Sequence, residues 1–180
     1  MSNILNTTID QYCYAIIEPI EEDKIVIESS DTNLTKVYKS SSFLEIDEEL
    51  QLQKAVYNYI VKHFNSSKKL NFHLITFADA PPGSGLGTSS TMTVAMIKAF
   101  SEWLGLALGE YEVAYIAFKI ERLELGWAGG KQDQYSASFG GFNFMEFGKG
   151  EKVLVNPLRI KDDVQRLLEI SLVLFYTGQS

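Results

Sequence analysis

Hydrophobic and polar positions along this chain follow two periods. "QYCYAIIE", "DKIVIES" and "NLTKVYKS", residues 11–18, 23–29 and 33–40, are short apolar or alternating runs separated by acidic and turn residues, and they predict a small sheet at the start. From "EIDEELQLQKAVYNYIVKHFN", residues 45–65, the spacing becomes helical: Leu50, Leu52, Ala55, Val56, Tyr59, Ile60 and Phe64 recur on one face, with acids near the beginning and Lys62 and His63 near the end. "LNFHLITFA" reads as a strand. A helical stripe then runs through Met92, Ala95, Met96, Ala99, Phe100 and Trp103, and "EYEVAYIAFKIERLEL" predicts a second helix after Gly109. A glycine-framed loop with a short helix in "QYSASF" leads to a hairpin of "FNFMEF" and "EKVLV" across Gly148 and Gly150. "KDDVQRLLEI" predicts a helix and "SLVLFY" a closing strand. No internal repeat or linker interrupts the pattern, which predicts one domain over residues 1–180.

Composition narrows the function. With 180 residues, 46% of them hydrophobic, the chain can bury a substantial core. A net charge of −7 and the lack of a basic run argue against binding nucleic acid. A small anion is still admissible, because local backbone dipoles can hold one against the overall charge. No window reaches the roughly 20 apolar residues of a membrane span, and "MSNILNTTID" has no signal-peptide pattern, so no membrane partner is expected and the cytoplasm is the default compartment. Cys13 is the only cysteine, in an apolar run that suits packing better than nucleophilic chemistry. His63 and His73 lack metal-ligand spacing.

The stretch "APPGSGLGTSSTMTVAM", Ala80 to Met96, concentrates the candidate chemistry. Gly83, Gly85 and Gly87 permit positive φ and remove the Cβ atoms that would keep a ligand from the main chain. Thr88, Ser89 and Ser90 follow at a helix start, so free N–H groups converge there with the positive end of the helix dipole, a setting suited to phosphate. A Ser or Thr helix cap would explain Thr88 or Ser89 but not three glycines in five residues. A P-loop is excluded, since no lysine occurs between Ala80 and Ile97. A dinucleotide fingerprint fits poorly, because the spacing is G-x-G-x-G and the next element is a second helix; a dinucleotide-binding oxidoreductase stays as the alternative.

Phosphoryl transfer also needs a cation and a group that orients the acceptor hydroxyl. "KIERLELGWAGGKQDQYSASFGG" offers Glu121, Glu124, Lys131 and Asp133. Spacing alone leaves Glu121 and Glu124 as ordinary solvated acids one helical turn apart. Asp133 follows a flexible glycine pair and could present a carboxylate to a ligand, or merely cap the short helix behind it.

These motifs carry a resemblance. "PPGSGLGTSS" resembles the phosphate-binding motif of the GHMP kinases, and "GGKQDQYSASFGGFNFMEF" is most similar to the branch that phosphorylates heptose 7-phosphate or related sugars. The resemblance implies an α+β fold of the ribosomal protein S5 domain 2-like type, with ATP and Mg2+ as cofactors and a sugar or sugar phosphate as partner. It implies that Pro82, Gly83, Ser84, Gly85, Leu86, Gly87, Thr88 and Ser89 wrap the nucleotide phosphates. Ser89 and Glu121 match the magnesium ligands, with Glu124 as a substitute if the register shifts. Asp133 matches the catalytic carboxylate, and Lys131 could steady it or the phosphoryl group. The expected chemistry is ATP-dependent phosphorylation of a sugar hydroxyl, the anomeric hydroxyl of a heptose 7-phosphate in the nearest branch. The family's glycine-rich first motif and its carboxy-terminal domain have no counterpart in these residues, so the chain reads as an amino-terminal domain trimmed at both ends, and a non-catalytic remnant is the other alternative.

Overall fold

The computed structural model describes residues 2–81, 83–173 and 175. Its order is β1 (Ser2–Thr7), β2 (Cys13–Pro19), β3 (Lys24–Ser29), β4 (Leu34–Lys39), α1 (Gln51–Phe64), β5 (Phe72–Ala78), α2 (Thr88–Leu104), α3 (Glu110–Lys119), α4 (Gln132–Phe139), β6 (Phe142–Phe147), β7 (Val153–Pro157) and α5 (Asp162–Ser171). A four-stranded sheet of order β2-β5-β3-β4 and a three-stranded sheet of order β1-β6-β7 give the expected α+β class. Among the described strands only β3 and β5 pair in parallel, so the doubly wound parallel sheet of a dinucleotide-binding oxidoreductase is absent and that alternative is set aside.

Alternation places Ile25 and Ile27 of β3 and Phe72 and Leu74 of β5 on one fully buried face, while Tyr14, Ile16 and Val37 are exposed. On the buried face α1 and α2 close an aromatic cluster: Phe72 meets Phe100 edge-on at 5.4 Å and Trp103 at 5.9 Å, and Tyr57 stacks obliquely on Phe72 at 5.3 Å. The hairpin of β6 and β7 forms as its pattern predicts, with Phe147 opposite Val153.

Two expectations are corrected, and one strand is added. The acids before α1 lie outside its first turn, because Leu50 takes a left-handed φ of 52° that starts the helix at Gln51. Asp47 is then free to pair with Lys54 at 2.7 Å, and Lys54 is only 1% exposed, with its ammonium also 5.1 Å from the Tyr38 ring centre. Burial is the largest single influence on Lys54 and opposes its charge, but Asp47 and Tyr38 together outweigh it and the pKa is raised, while the hydrogen bond from Lys54 lowers the pKa of Asp47. β1 is a strand that the sequence pattern did not reveal; "SNILNT" acquires that conformation by pairing with β6 from Ser2 opposite Phe147 to Thr7 opposite Phe142. The closing strand "SLVLFY" does not form where it is described: Ser171 ends α5, Leu172 and Val173 follow without strand pairing, and Leu174 and Tyr176 lie outside the described residues.

Candidate active site

β5 delivers the chain to the glycine loop. Its exit is held by a reciprocal pair, Asp79 N–H to Tyr12 O at 2.9 Å and Tyr12 N–H to Asp79 Oδ2 at 2.9 Å, and by Ala78 N–H donating to Asp31 Oδ1. Beyond it Gly83, Gly85 and Gly87 all lie in the left-handed region, with φ of 74°, 72° and 74°. This is the conformational demand that the spacing of glycines implied. Pro82 lies outside the described residues.

Gly87 is the N-cap of α2, and no side chain caps the helix. Its first hydrogen bond runs from Thr91 N–H to Gly87 O at 3.0 Å. The amides of Thr88, Ser89 and Ser90 therefore have no partner within the helix and face outward with its positive dipole end. A hydroxyl cap is thus not what Thr88 and Ser89 provide. Ser84 Oγ instead lies 3.4 Å from Thr88 Oγ1 inside the loop, and Ser89 is exposed.

Asp133 meets this end of α2. A Cβ built on Gly87 would lie 3.4 Å from Asp133 Cγ, so the carboxylate packs directly against the last glycine. The N-cap of α4 is Lys131, which puts Asp133 second in the helix and rules out capping as its role. Gly85, Leu86, Gly87, Thr91, Gln132 and Asp133 line one cavity of about 550 Å³. Asp133 also borders a second cavity of about 360 Å³, together with Lys131. The Lys131 ammonium donates to Gly150 O at 3.0 Å and sits 4.9 Å from the Phe118 ring centre, so it is tethered to the turn between β6 and β7.

Glu121 is fully buried. The end of α3 widens into a π-turn over Ile120–Glu124, closed by Leu125 N–H to Ile120 O at 3.0 Å, and this turn directs Glu121 between α2 and α4. Its Oε2 accepts from Ser90 Oγ at 2.8 Å and from Gln134 Nε2 at 2.8 Å, with Arg122 Nη2 at 3.4 Å. Its Oε1 is buried with no hydrogen-bond partner. The structure thus brings Glu121 to Ser90 and not to Ser89: no hydrogen bond joins Ser89 and Glu121. Glu124 is turned elsewhere and lines a separate cavity with Ser42, Tyr59 and Lys62.

Sequence reasoning named Ser90 only for its place at the helix start and missed Arg122 and Gln134. The adjoining glycine pair held a partial signal, since a Cβ on Gly129 would come within 2.6 Å of Arg122 Nη2 and Arg122 Nε donates to Gly130 O at 3.2 Å. Gly129 admits an arginine, whereas sequence reasoning had assigned the pair to presenting Asp133. Cys13 lines the larger cavity, where burial first, and then Asp31 and Asp79, push its thiol up to about 11, in keeping with a packing role.

Residues 51–141 match the family model described as the GHMP kinases N terminal domain. The chain is 52% identical over 175 residues to D-glycero-alpha-D-manno-heptose 7-phosphate kinase of Campylobacter jejuni, covering 97% of this chain and 51% of that protein. It is 33% identical to mevalonate kinase of Pyrococcus furiosus, over 96% of this chain and 50% of that one. Its fold superimposes with a TM-score of 0.87 and 51% identity on a crystal structure of a D-glycero-D-manno-heptose 1-phosphate kinase from Bacteroides thetaiotaomicron, covering 90% of this chain and 53% of that chain. The chain therefore spans about half the length of the relatives it matches.

Proposed function

Because the chain belongs to the GHMP kinase family, we propose that it carries the ATP-binding part of a cytoplasmic kinase that phosphorylates a sugar phosphate, at the anomeric hydroxyl of a heptose 7-phosphate. The observation that carries this reading is Asp133 packed against Gly87, at the uncapped end of α2. A phosphate chain held by the amides from Gly83 to Ser89 would lie beside that carboxylate, which can then orient an acceptor hydroxyl and take its proton. Proximity supplies much of such a reaction's acceleration, and both groups stand on helix starts that fix their directions.

The residues also fit a divalent cation. Glu121 Oε1 is a buried acceptor without a donor, which a cation satisfies. Ser89 and Glu121 would hold magnesium, with Ser89 exposed at the open end of α2. Bound there, magnesium neutralises charge on the nucleotide phosphates. Lys131 has one of its three donors tied to Gly150 O and borders the same cavity as Asp133, so it would have a supporting role and Asp133 the main one in this reading.

The test is a transfer assay with the protein, ATP, magnesium and D-glycero-D-manno-heptose 7-phosphate, followed by phosphorus NMR for a new anomeric phosphate. ADP release that depends on the heptose phosphate is expected. Binding of Mg-ATP without transfer to any sugar phosphate would refute turnover by this chain, and no nucleotide binding would refute the site as well.

A further inference from the structure

Glu121 presents a carboxylate with all its donors on one oxygen. Ser90 Oγ, Gln134 Nε2 and Arg122 Nη2 converge on Oε2, at 2.8, 2.8 and 3.4 Å, while Oε1 is left open. Gln134 is the residue that ties this arrangement together. It is fully buried, and its Nε2 also donates to Ser90 Oγ at 3.1 Å, so one amide group spans the first turns of α2 and α4 and the π-turn. Its orientation is chemically fixed, because turning the amide oxygen toward Glu121 would set two acceptors against each other. Its own Oε1 is a second buried acceptor without a partner, so the cluster holds two acceptors that lack a donor or a positive charge.

We propose that Gln134 is a positioning residue for a cation ligand: its amide clamps Oε2 of Glu121 so that Oε1 is held ready for a divalent ion at the nucleotide phosphates. The inference rests on the reading of Glu121 given above. Packing alone does not account for Gln134, since an apolar side chain would fill the same buried volume without leaving an acceptor stranded. Residues that orient a metal ligand through hydrogen bonds commonly change metal affinity by roughly 10–100-fold when replaced. α4 has only eight residues and no side-chain cap, so its first turn depends on such tertiary ties. Gln134 follows Asp133 directly, and the clamp thereby fixes the helix that carries the proposed base.

The experiment measures ATP affinity by calorimetry with magnesium and with a chelator, and takes the ratio as the contribution of the metal. Gln134→Met keeps the length of the side chain and loses the donor. It should lower that ratio about 10-fold or more while leaving metal-free ATP affinity unchanged. Ser90→Ala removes the other donor and should act in the same direction by less; it decides the question if Gln134→Met fails to fold. Glu121→Gln separates the two readings. If Glu121→Gln lowers the ratio while folded Gln134→Met or Ser90→Ala does not, the clamp is wrong and Glu121 stands as the ligand. If none of them changes it, or the parent shows no magnesium-dependent binding, the metal reading falls and the clamp with it.

Discussion

The two ends of α2 treat the same structural problem in opposite ways. Each is flanked by a left-handed glycine, Gly87 with φ 74° and Gly105 with φ 66°. At the C-terminal end Gly105 N–H bonds to Glu102 O and Leu106 N–H to Ser101 O, the paired bonds of a Schellman motif, and Phe100 and Trp103 are locked into the aromatic cluster with Phe72. At the N-terminal end no cap forms, three amides stay open, and Ser90 turns inward to a buried carboxylate. Helix ends normally satisfy their orphan groups. In the proposed function, the nucleotide phosphates would supply the missing partners of the open end, which lies beside a carboxylate.

The contrast is broken most strongly at the open end. Asp133→Asn should lower kcat by about 10²–10⁴-fold, the usual worth of a general base, with Mg-ATP affinity and the unfolding midpoint nearly unchanged. Steady-state kinetics and thermal unfolding of the same preparation decide it, and near-normal turnover would remove Asp133 from the chemistry. At the closed end the expected loss is in stability. Phe100→Ala should cost about 3–5 kcal/mol in denaturant unfolding, from lost burial plus the cavity left behind, while nucleotide affinity of the folded fraction is retained.

The smallest effect gives the sharpest comparison, because the same substitution can be made at both ends. A Cβ on Gly105 would meet nothing within 4 Å, so Gly105→Ala should lose about 1–2 kcal/mol from the left-handed backbone alone. Gly87→Ala carries the same strain but also sets a methyl 3.4 Å from Asp133 Cγ. Both should lower the unfolding midpoint alike, and only Gly87→Ala should reduce phosphoryl transfer. If Gly105→Ala impairs transfer equally, the difference between the ends is not functional.

Much of this was legible without coordinates. The periods that mark β3, α1, β5 and α2, the hairpin of β6 and β7, and the positive φ of Gly83, Gly85 and Gly87 follow from local sterics and from which face of each element must leave water. The pairing of loop and carboxylate was legible only through the resemblance of the two motifs to the GHMP kinases, since spacing alone left Asp133 as ligand or cap; the structure places Asp133 against Gly87. Other features depended on contacts between segments far apart in the chain. "SNILNT" is a strand because β6 offers it a partner, and Lys54 keeps its charge in a buried place because Asp47 and Tyr38, both outside α1, meet its ammonium. The choice between Ser89 and Ser90 is the clearest case. Successive helical residues point about 100° apart, so which hydroxyl of "TSS" meets Glu121 is set by how α2 is rotated against α4 and by the π-turn that swings Glu121 inward and Glu124 away. The sequence by itself determined which residue types could serve the site. The packing angles of three elements, each fixed by side chains distant in sequence, decided which of them face it.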